Sequence, residues 1–556
     1  MRNTFLGAVG PSLLFMLALG SPLRAQSAAI VPATDLVYAD IDRLSELGML
    51  DSIIIGQRPY SRDEIRRIAR TARNRLERGT GAAKSRWSDE ASNFAEQLLR
   101  RIETRFGTSG DDEGRQEPVV ALFDGASLSF LSTDTDRRGF PSPGARATEA
   151  TIDPLAKRRL GKPAVTGQTG ALELSQHVAP TSWLAFQARE RVEYRNARDS
   201  TLKRTDGEVL LASARARYRN VALMVGRQEI TWAQHPGDGL FLSSDAPALD
   251  QISLAGDHPF MLPWLLRYLG STQATIVLAD LGPSVARSGS KLLTYKVSIQ
   301  PFNAVELGGT FMDHFAGAGG RSSSFGDQLV DFLPFIDVFR KHNYTDTTRA
   351  IDVDSDKLLG VDGRVRIDPL GGITLTGELL IDDFDVHRIP KLLTGYGSQT
   401  FALIVPQIGS PALSLKLSAK HMGIITYTHF DLSDGITTRG RLLGDELGPD
   451  AKAYSAKLRW TPVAEVRVEL EGSSAIYSNA TYTSFYSDPA QTRFVVQKAS
   501  HGTDELRERV VGTLVYQSQD GVALTMRAGA ERTRNAFFTG GRRRDYVAEI
   551  ALRLGQ

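Results

Sequence analysis

The 556-residue sequence contains no cysteine. That absence excludes disulfides, thiol nucleophiles, thiolate metal sites and a lipid-bearing cysteine. Excess charge of one sign is lacking too. Sixty-six Lys and Arg stand against 64 Asp and Glu, a formal net charge of +2, so no field draws the chain to nucleic acid. Mean hydropathy is −0.20, and beyond the N-terminus no apolar run is long enough for a membrane-spanning helix. Catalytic signatures are also missing: no HExxH, GxSxG, P-loop or dinucleotide fingerprint occurs. The nine histidines are scattered, without metal-ligand spacing. These absences describe a chain with no enzyme activity, cofactor or metal.

What the sequence does contain is alternation. In the last run, Tyr546, Ala548, Ile550, Leu552 and Leu554 fall on one face and Val547, Glu549, Ala551 and Arg553 on the other. Leu413, Leu415, Leu417 and Ala419 oppose Ser414, Lys416, Ser418 and Lys420 in the same way. Period-two patterning gives a sheet with one apolar and one wet face. Its recurrence through residues 119–556 predicts a mainly β fold, a large transmembrane antiparallel β-barrel of about eighteen strands. Charges repeated on one face, as in Gln187, Arg189, Arg191 and Glu193 or Arg467, Glu469 and Glu471, belong in the lumen. Facing lipid at mid-depth, each Arg or Lys would cost about 2–4 kcal/mol.

Residues 1–25 read as a signal peptide, with Arg2, an apolar Leu13–Leu19 core and cleavage after Ala25. Residues 26–106 change to helical periodicity and predict a small bundle, placed in the periplasm. Its second helix starts at a capping box, Ser61 with Glu64, and a third starts near Ser88. The arginine face of the second helix (Arg66, Arg67, Arg70, Arg73) is either solvated or docked on an acidic barrel rim. Residues 107–118 form a polar linker before the barrel, 119–556.

Longer loops are expected at 134–167, 234–273, 316–356 and 431–450. The segments DQLVDFLPFIDVFRKH and HPFMLPWLLRYLG carry apolar and aromatic clusters suited to covering a mouth, stacking on sugar rings or sitting in an interface girdle. Asp352, Asp354 and Asp356 lack the remainder of a calcium loop, and Asp382, Asp383 and Asp385 read as a strand end at an aqueous rim.

Several blocks together resemble the capsule-assembly Wzi family of outer-membrane proteins. They are DLVYADIDRLSELGMLDSIIIGQRPYSRDEIRRIA, VGRQEITWAQHPGDGLFLSSDAPALD, LLGVDGRVRI with LTGELLIDD, and YTHFDLSDGITTRGRLLGDELGPDAKAYSAKLRW. The resemblance implies a lectin-like barrel that anchors capsular or other extracellular polysaccharide at the cell surface of the bacterial outer membrane. Its other partners would be outer-membrane lipid and the polysaccharide export machinery. A porin or solute channel is the alternative, since a barrel of this size can hold water. Sugar binding needs aromatic platforms beside polar groups. Trp232, Gln234, His235 and Asp238 in one turn, with Trp264 and Tyr268 in the next loop segment, are the candidate polysaccharide site. Trp232 reads equally as an interface anchor.

Overall fold

The computed structural model describes residues 28–80, 87–107, 119–135, 138–139, 151–152, 155, 159–161, 164–234, 239–282, 288–315, 317, 332, 355–382, 396–428, 435–486, 494–519 and 521–555. The signal segment and all but the first residue of the expected linker lie outside these residues. So do most of DQLVDFLPFIDVFRKH, Asp352 and Asp354, and Asp383 and Asp385.

Eighteen antiparallel strands close into one barrel. The first six are β1 (Val119–Thr133), β2 (Gly167–Thr181), β3 (Leu184–Ala197), β4 (Arg204–Tyr218), β5 (Val221–Gln228) and β6 (Leu249–Gly256). Next come β7 (Ser271–Asp280), β8 (Lys291–Phe302), β9 (Val305–Phe315), β10 (Asp356–Ile367), β11 (Ile373–Ile381) and β12 (Ser398–Val405). The last six are β13 (Leu413–Met422), β14 (Ala451–Val463), β15 (Val466–Tyr477), β16 (Glu505–Gln517), β17 (Ala523–Ala536) and β18 (Gly541–Leu554). Closure is made by β18 on β1, from Val547↔Thr133 to Leu554↔Ala126. A closed ladder leaves no edge, which is what lets strands cross a bilayer.

Alternation translates directly into the wall. Tyr546, Ile550, Leu552 and Leu554 are exposed on the outer surface, where lipid covers them, while Glu549, Ala551 and Arg553 line the lumen. Leu417 faces out and Lys416, Ser418 and Lys420 face in. No helix among the described residues is long and apolar enough to cross a membrane.

Three helices, α1 (Val37–Glu46), α2 (Arg62–Thr80) and α3 (Asp89–Phe106), sit at one end of the barrel. Ser61 Oγ accepts from Glu64 N at 3.1 Å and Ser88 Oγ from Ala91 N at 3.2 Å, so both predicted helix starts are capped. Ile65, Ile68, Ala72, Leu98 and Ile102 pack into one core with Ile41 and Leu44. The arginine face of α2 meets helix partners and not an acidic rim. Arg73 pairs with Glu96 and Glu103 of α3, and Arg66 donates to Phe106 O at 2.6 Å.

Docking runs instead through buried arginines on barrel carbonyls. Arg43 donates to Pro406 O (2.6 Å) and Pro411 O, and Arg101 to Ala464 O while it pairs with Asp40. These carbonyls belong to the turns β12–β13 and β14–β15. The compact turns therefore lie at the helix end of the barrel, and the long connections after β1, β5, β9, β11, β13 and β15 lie at the other.

Candidate functional site: a plugged lumen and a charged chamber

Two chain segments fold back into the barrel. After β5, residues 229–234 and 239–248 turn inward from the long-connection end, and residues 423–428 and 435–450, between β13 and β14, do the same. Trp232, Leu240, Phe241 and Leu242 from the first segment pack with Tyr427, Ile436, Leu442 and Leu443 from the second. They seat on apolar wall residues Val277, Leu292, Met312, Leu358, Leu380 and Met422. Tyr427 Oη donates to Leu240 O at 2.5 Å, Ser243 N to Leu443 O at 2.9 Å, and the Asp382 carboxylate accepts from Tyr427 N. Asp382 is thus a buried tie for the plug, which corrects its reading as an aqueous strand end. Gly360 lets the plug seat closely: a Cβ there would lie 2.7 Å from the Phe241 ring.

A third segment enters from the helix end. Arg58 and Thr231 exchange backbone hydrogen bonds of 3.0 Å in both directions, joining the N-terminal module to the plug inside the lumen. Glu306 on β9 accepts from Ile55 N (2.9 Å), Gly56 N (2.8 Å) and Gln234 Nε2 (3.0 Å). Gln234 Nε2 also donates to Asp362 at 2.5 Å, and Asp362 pairs with Lys296. Glu378 accepts from Gln234 N (3.2 Å) and Leu240 N (2.9 Å). Buried acids are stable only when so many donors converge on them. Here they bolt the plug to β9, β10 and β11.

The rest of the lumen is wet. A chamber of about 480 Å³ lies between the plug and the wall formed by β13–β18 and β1–β3, lined by nine Lys or Arg and seven Asp or Glu. Ion pairs ladder its walls: Arg191 with Glu173 (3.1 Å), Lys457 with Glu471 (2.8 Å), Arg467 with Glu469 (3.3 Å). The charged faces expected in the lumen are these.

The expected sugar site is not one place. Trp232 is 1% exposed and offers no platform, and Gln234 is buried in the acid node. Trp264 is 90% exposed, with Tyr268, Leu265 and Leu266 around it, in the connection from β6 to β7 at the helix end. His235 and Asp238 lie outside the described residues. The stretch 234–273 expected as one loop contains strand β6, so the chain crosses the barrel between the two tryptophans and leaves Trp232 inside the lumen and Trp264 exposed at the helix-end rim. Trp264, Tyr268, Trp183, Tyr218 and Phe302 are all exposed around the helix-end rim, the arrangement of an interface girdle.

Where helix and barrel meet, His258 Nδ1 lies 2.7 Å from Glu64 and Nε2 lies 3.4 Å from Asp63 and from Asp257. Burial opposes its charge, but the hydrogen bonds to Asp63 and Glu64 prevail and its pKa is pushed up to about 9. Asp63, Asp257 and His258 are close enough to share a cation. However, Arg217 already bridges both aspartates at 2.6 and 2.8 Å and Arg215 pairs with Asp257 at 2.5 Å, which makes the cluster a charge-balanced joint.

The family model described as capsule assembly protein Wzi matches residues 137–545. The chain belongs to the Wzi family. The solved Wzi of Escherichia coli, an outer-membrane protein involved in group 1 capsule assembly and a carbohydrate-binding β-barrel, matches with a TM-score of 0.64 at 14% identity. The match covers 95% of this chain and 100% of that one. OccD3 (OpdP) of Pseudomonas aeruginosa matches at a TM-score of 0.40 and 10% identity, over 80% of this chain and 92% of its own. OccAB2 of Acinetobacter baumannii gives 0.40 and 13%, over 77% and 97%. No curated protein matches the sequence. This chain shares the β-barrel fold of the E. coli Wzi structure.

Proposed function

We propose that this barrel is a plugged, lectin-like receptor that holds capsular or other surface polysaccharide at its long-connection end, without a catalytic step. The filled lumen is the observation that carries the reading. A buried apolar core and the bonded node of Lys296, Glu306, Asp362 and Glu378 occupy the side lined by β7–β13, where a conduit would need water. Family membership and the carbohydrate-binding E. coli barrel support the ligand class. The helical module faces the periplasm in this reading, because outer-membrane barrels keep short turns there and long loops outside. The polysaccharide export machinery is then the partner met at the helix end, and Trp264 and Tyr268 sit in the inner interface and do not touch glycan.

The test is direct. Purified protein is expected to bind capsular glycan from its own source and to show no steady conductance in planar bilayers. Absence of glycan binding with a steady open conductance overturns the proposal in favour of a solute channel, the reading that the charged chamber by itself favours. Protease on intact cells is expected to spare α2 and α3, and cleavage there would overturn the orientation.

A further inference from the structure

The rim at the long-connection end treats its arginines in two ways. On the luminal face, Arg507 pairs with Glu505 (2.8 Å) and Glu531 (2.9 Å), Arg509 with Glu531 (2.6 Å), and Arg543 with Asp545 (2.9 Å). The outer face of the same hairpin carries Arg532 and Arg534 on β17 and Arg542 and Arg544 on β18, all four exposed. The register sets them directly opposite one another, Arg532↔Arg544 and Arg534↔Arg542. Arg534 has Glu508 at 3.1 Å. Among the described residues, Arg532, Arg542 and Arg544 have no carboxylate at ion-pair distance.

Like charges directly opposite on a sheet repel and destabilise it. Four arginines whose Cα atoms form a square, about 5 Å across the strands and about 7 Å along them, share one carboxylate. It is that of Glu508, which stands opposite Arg532 and pairs with Arg534. The remaining positive charge calls for an external anion. Their position says which kind. They share the outward face with Tyr546, Ile550 and Met526, which are exposed to lipid, and they continue that face beyond the apolar belt. This is headgroup height, where an outward Arg is tolerated at about 0–1 kcal/mol. A guanidinium fork meets a phosphate through two parallel hydrogen bonds, which a square of four arginines can offer to two phosphates at once.

We infer that Arg532, Arg534, Arg542 and Arg544 form a lateral binding site for a phosphorylated glycolipid of the outer leaflet, one that carries two phosphates. A soluble anionic polysaccharide fits less well, because the square faces sideways into the bilayer and not up into the medium. The inference shares with the proposed function only the orientation of the barrel.

Native mass spectrometry of the full-length purified protein, titrated with bisphosphorylated lipid A, monophosphorylated lipid A or phosphatidylglycerol, tests it. The wild-type protein is expected to prefer them in that order. The triple variant Arg532→Gln/Arg542→Gln/Arg544→Gln is expected to lose about tenfold in affinity for the bisphosphorylated form, since each lost fork removes charge-assisted bonds. The corresponding triple Lys variant is expected to keep the charge and lose selectivity for two phosphates over one. Equal binding by wild type and the Gln triple overturns the site. So does equal binding of phosphatidylglycerol, or displacement of lipid A by soluble glycan. Should the triple fail to show the heat-modifiable migration of an assembled barrel, Arg532→Gln and Arg544→Gln singly decide, each expected to weaken binding about threefold. Glycan binding by these variants is expected to be unchanged, so the lipid site and the proposed function fail separately.

Discussion

The two sides of this lumen solve the same problem in opposite ways. From β7 to β12 the inner wall is largely apolar around a few bonded charges and the space is filled by protein, with Trp232, Phe241 and Tyr427 buried and Glu306 and Glu378 each accepting from more than one donor. From β14 round to β3 the inner wall is charged, and ion pairs face a chamber. The contrast shows that an inward-facing strand position need not be a wet one. A wall meant to face water alternates strictly, whereas a wall meant to face a plug is apolar on both sides and reads as a continuous run, as buried sheets do.

The sharpest way to break this contrast is Trp232→Ala. Removing a fully buried indole from a packed core is expected to cost about 3–5 kcal/mol. Thermal unfolding followed by heat-modifiable migration should fall to a markedly lower midpoint, and conductance should rise as the plug loosens. Trp264→Ala, at a position 90% exposed, is the control expected to leave that midpoint nearly unchanged. Equal effects at both sites would mean that the plug contributes nothing to the fold.

The sequence made much of the frame legible. Tyr546–Leu554 named its lipid and luminal faces correctly, Arg467, Glu469 and Glu471 were assigned to the lumen, and Ser61 and Ser88 marked two helix starts. The dry half is harder to read, although its signal is present: Ile276–Ala279 and Leu379–Ile381 are apolar on both faces, unlike Lys416–Lys420. The candidate site residues are dispersed for a topological reason. Trp232 and Trp264 are near in sequence, but β6 lies between them, and one is buried in the lumen while the other stands on the outer rim. A tryptophan next to Gln and His also looks the same in sequence whether it is a platform or a core residue. Only the fold back into the barrel decides that.

Glu306 probes how the plug is held. Glu306→Gln keeps the shape but aims an amide N–H at the Ile55 and Gly56 donors, leaving one buried group unsatisfied. The expected loss is about 1–3 kcal/mol, with faster hydrogen exchange at Ile55 and Gly56. Normal protection there would mean that the N-terminal segment does not depend on the barrel wall.

A smaller effect is expected at the joint outside the lumen. His258 has a pKa raised from 6.5 to about 9. Its contribution to docking is therefore complete below pH 6.5 and lost as pH rises through about 9. Asp63 has its pKa lowered from 3.8, burial opposing and His258 and Arg217 prevailing, so its contribution is present above pH 3.8 and lost as pH falls. Limited proteolysis should find α2 protected at about pH 6 and more readily cut at about pH 9.5, with the difference removed in His258→Gln. A pH profile identical in wild type and variant would assign the docking to Arg43 and Arg101 alone.

The smallest effect is expected in the wet half, and it is what makes the comparison quantitative. Lys457 and Glu471 are 2.8 Å apart with side chains 29% and 37% exposed, so both ions keep part of their hydration. Partly hydrated pairs of this kind contribute about 0–1 kcal/mol, because Coulomb attraction is offset by lost side-chain freedom and weakened by salt. Lys457→Ala should therefore shift the unfolding midpoint slightly at low ionic strength and not measurably at high. The chamber loses a cation in this variant, so any residual ion passage should become more cation-selective even though stability is unchanged. A loss approaching that of Trp232→Ala, insensitive to salt, would show that water does not reach the chamber, and the distinction between a filled and a hydrated side of this lumen would have to be abandoned.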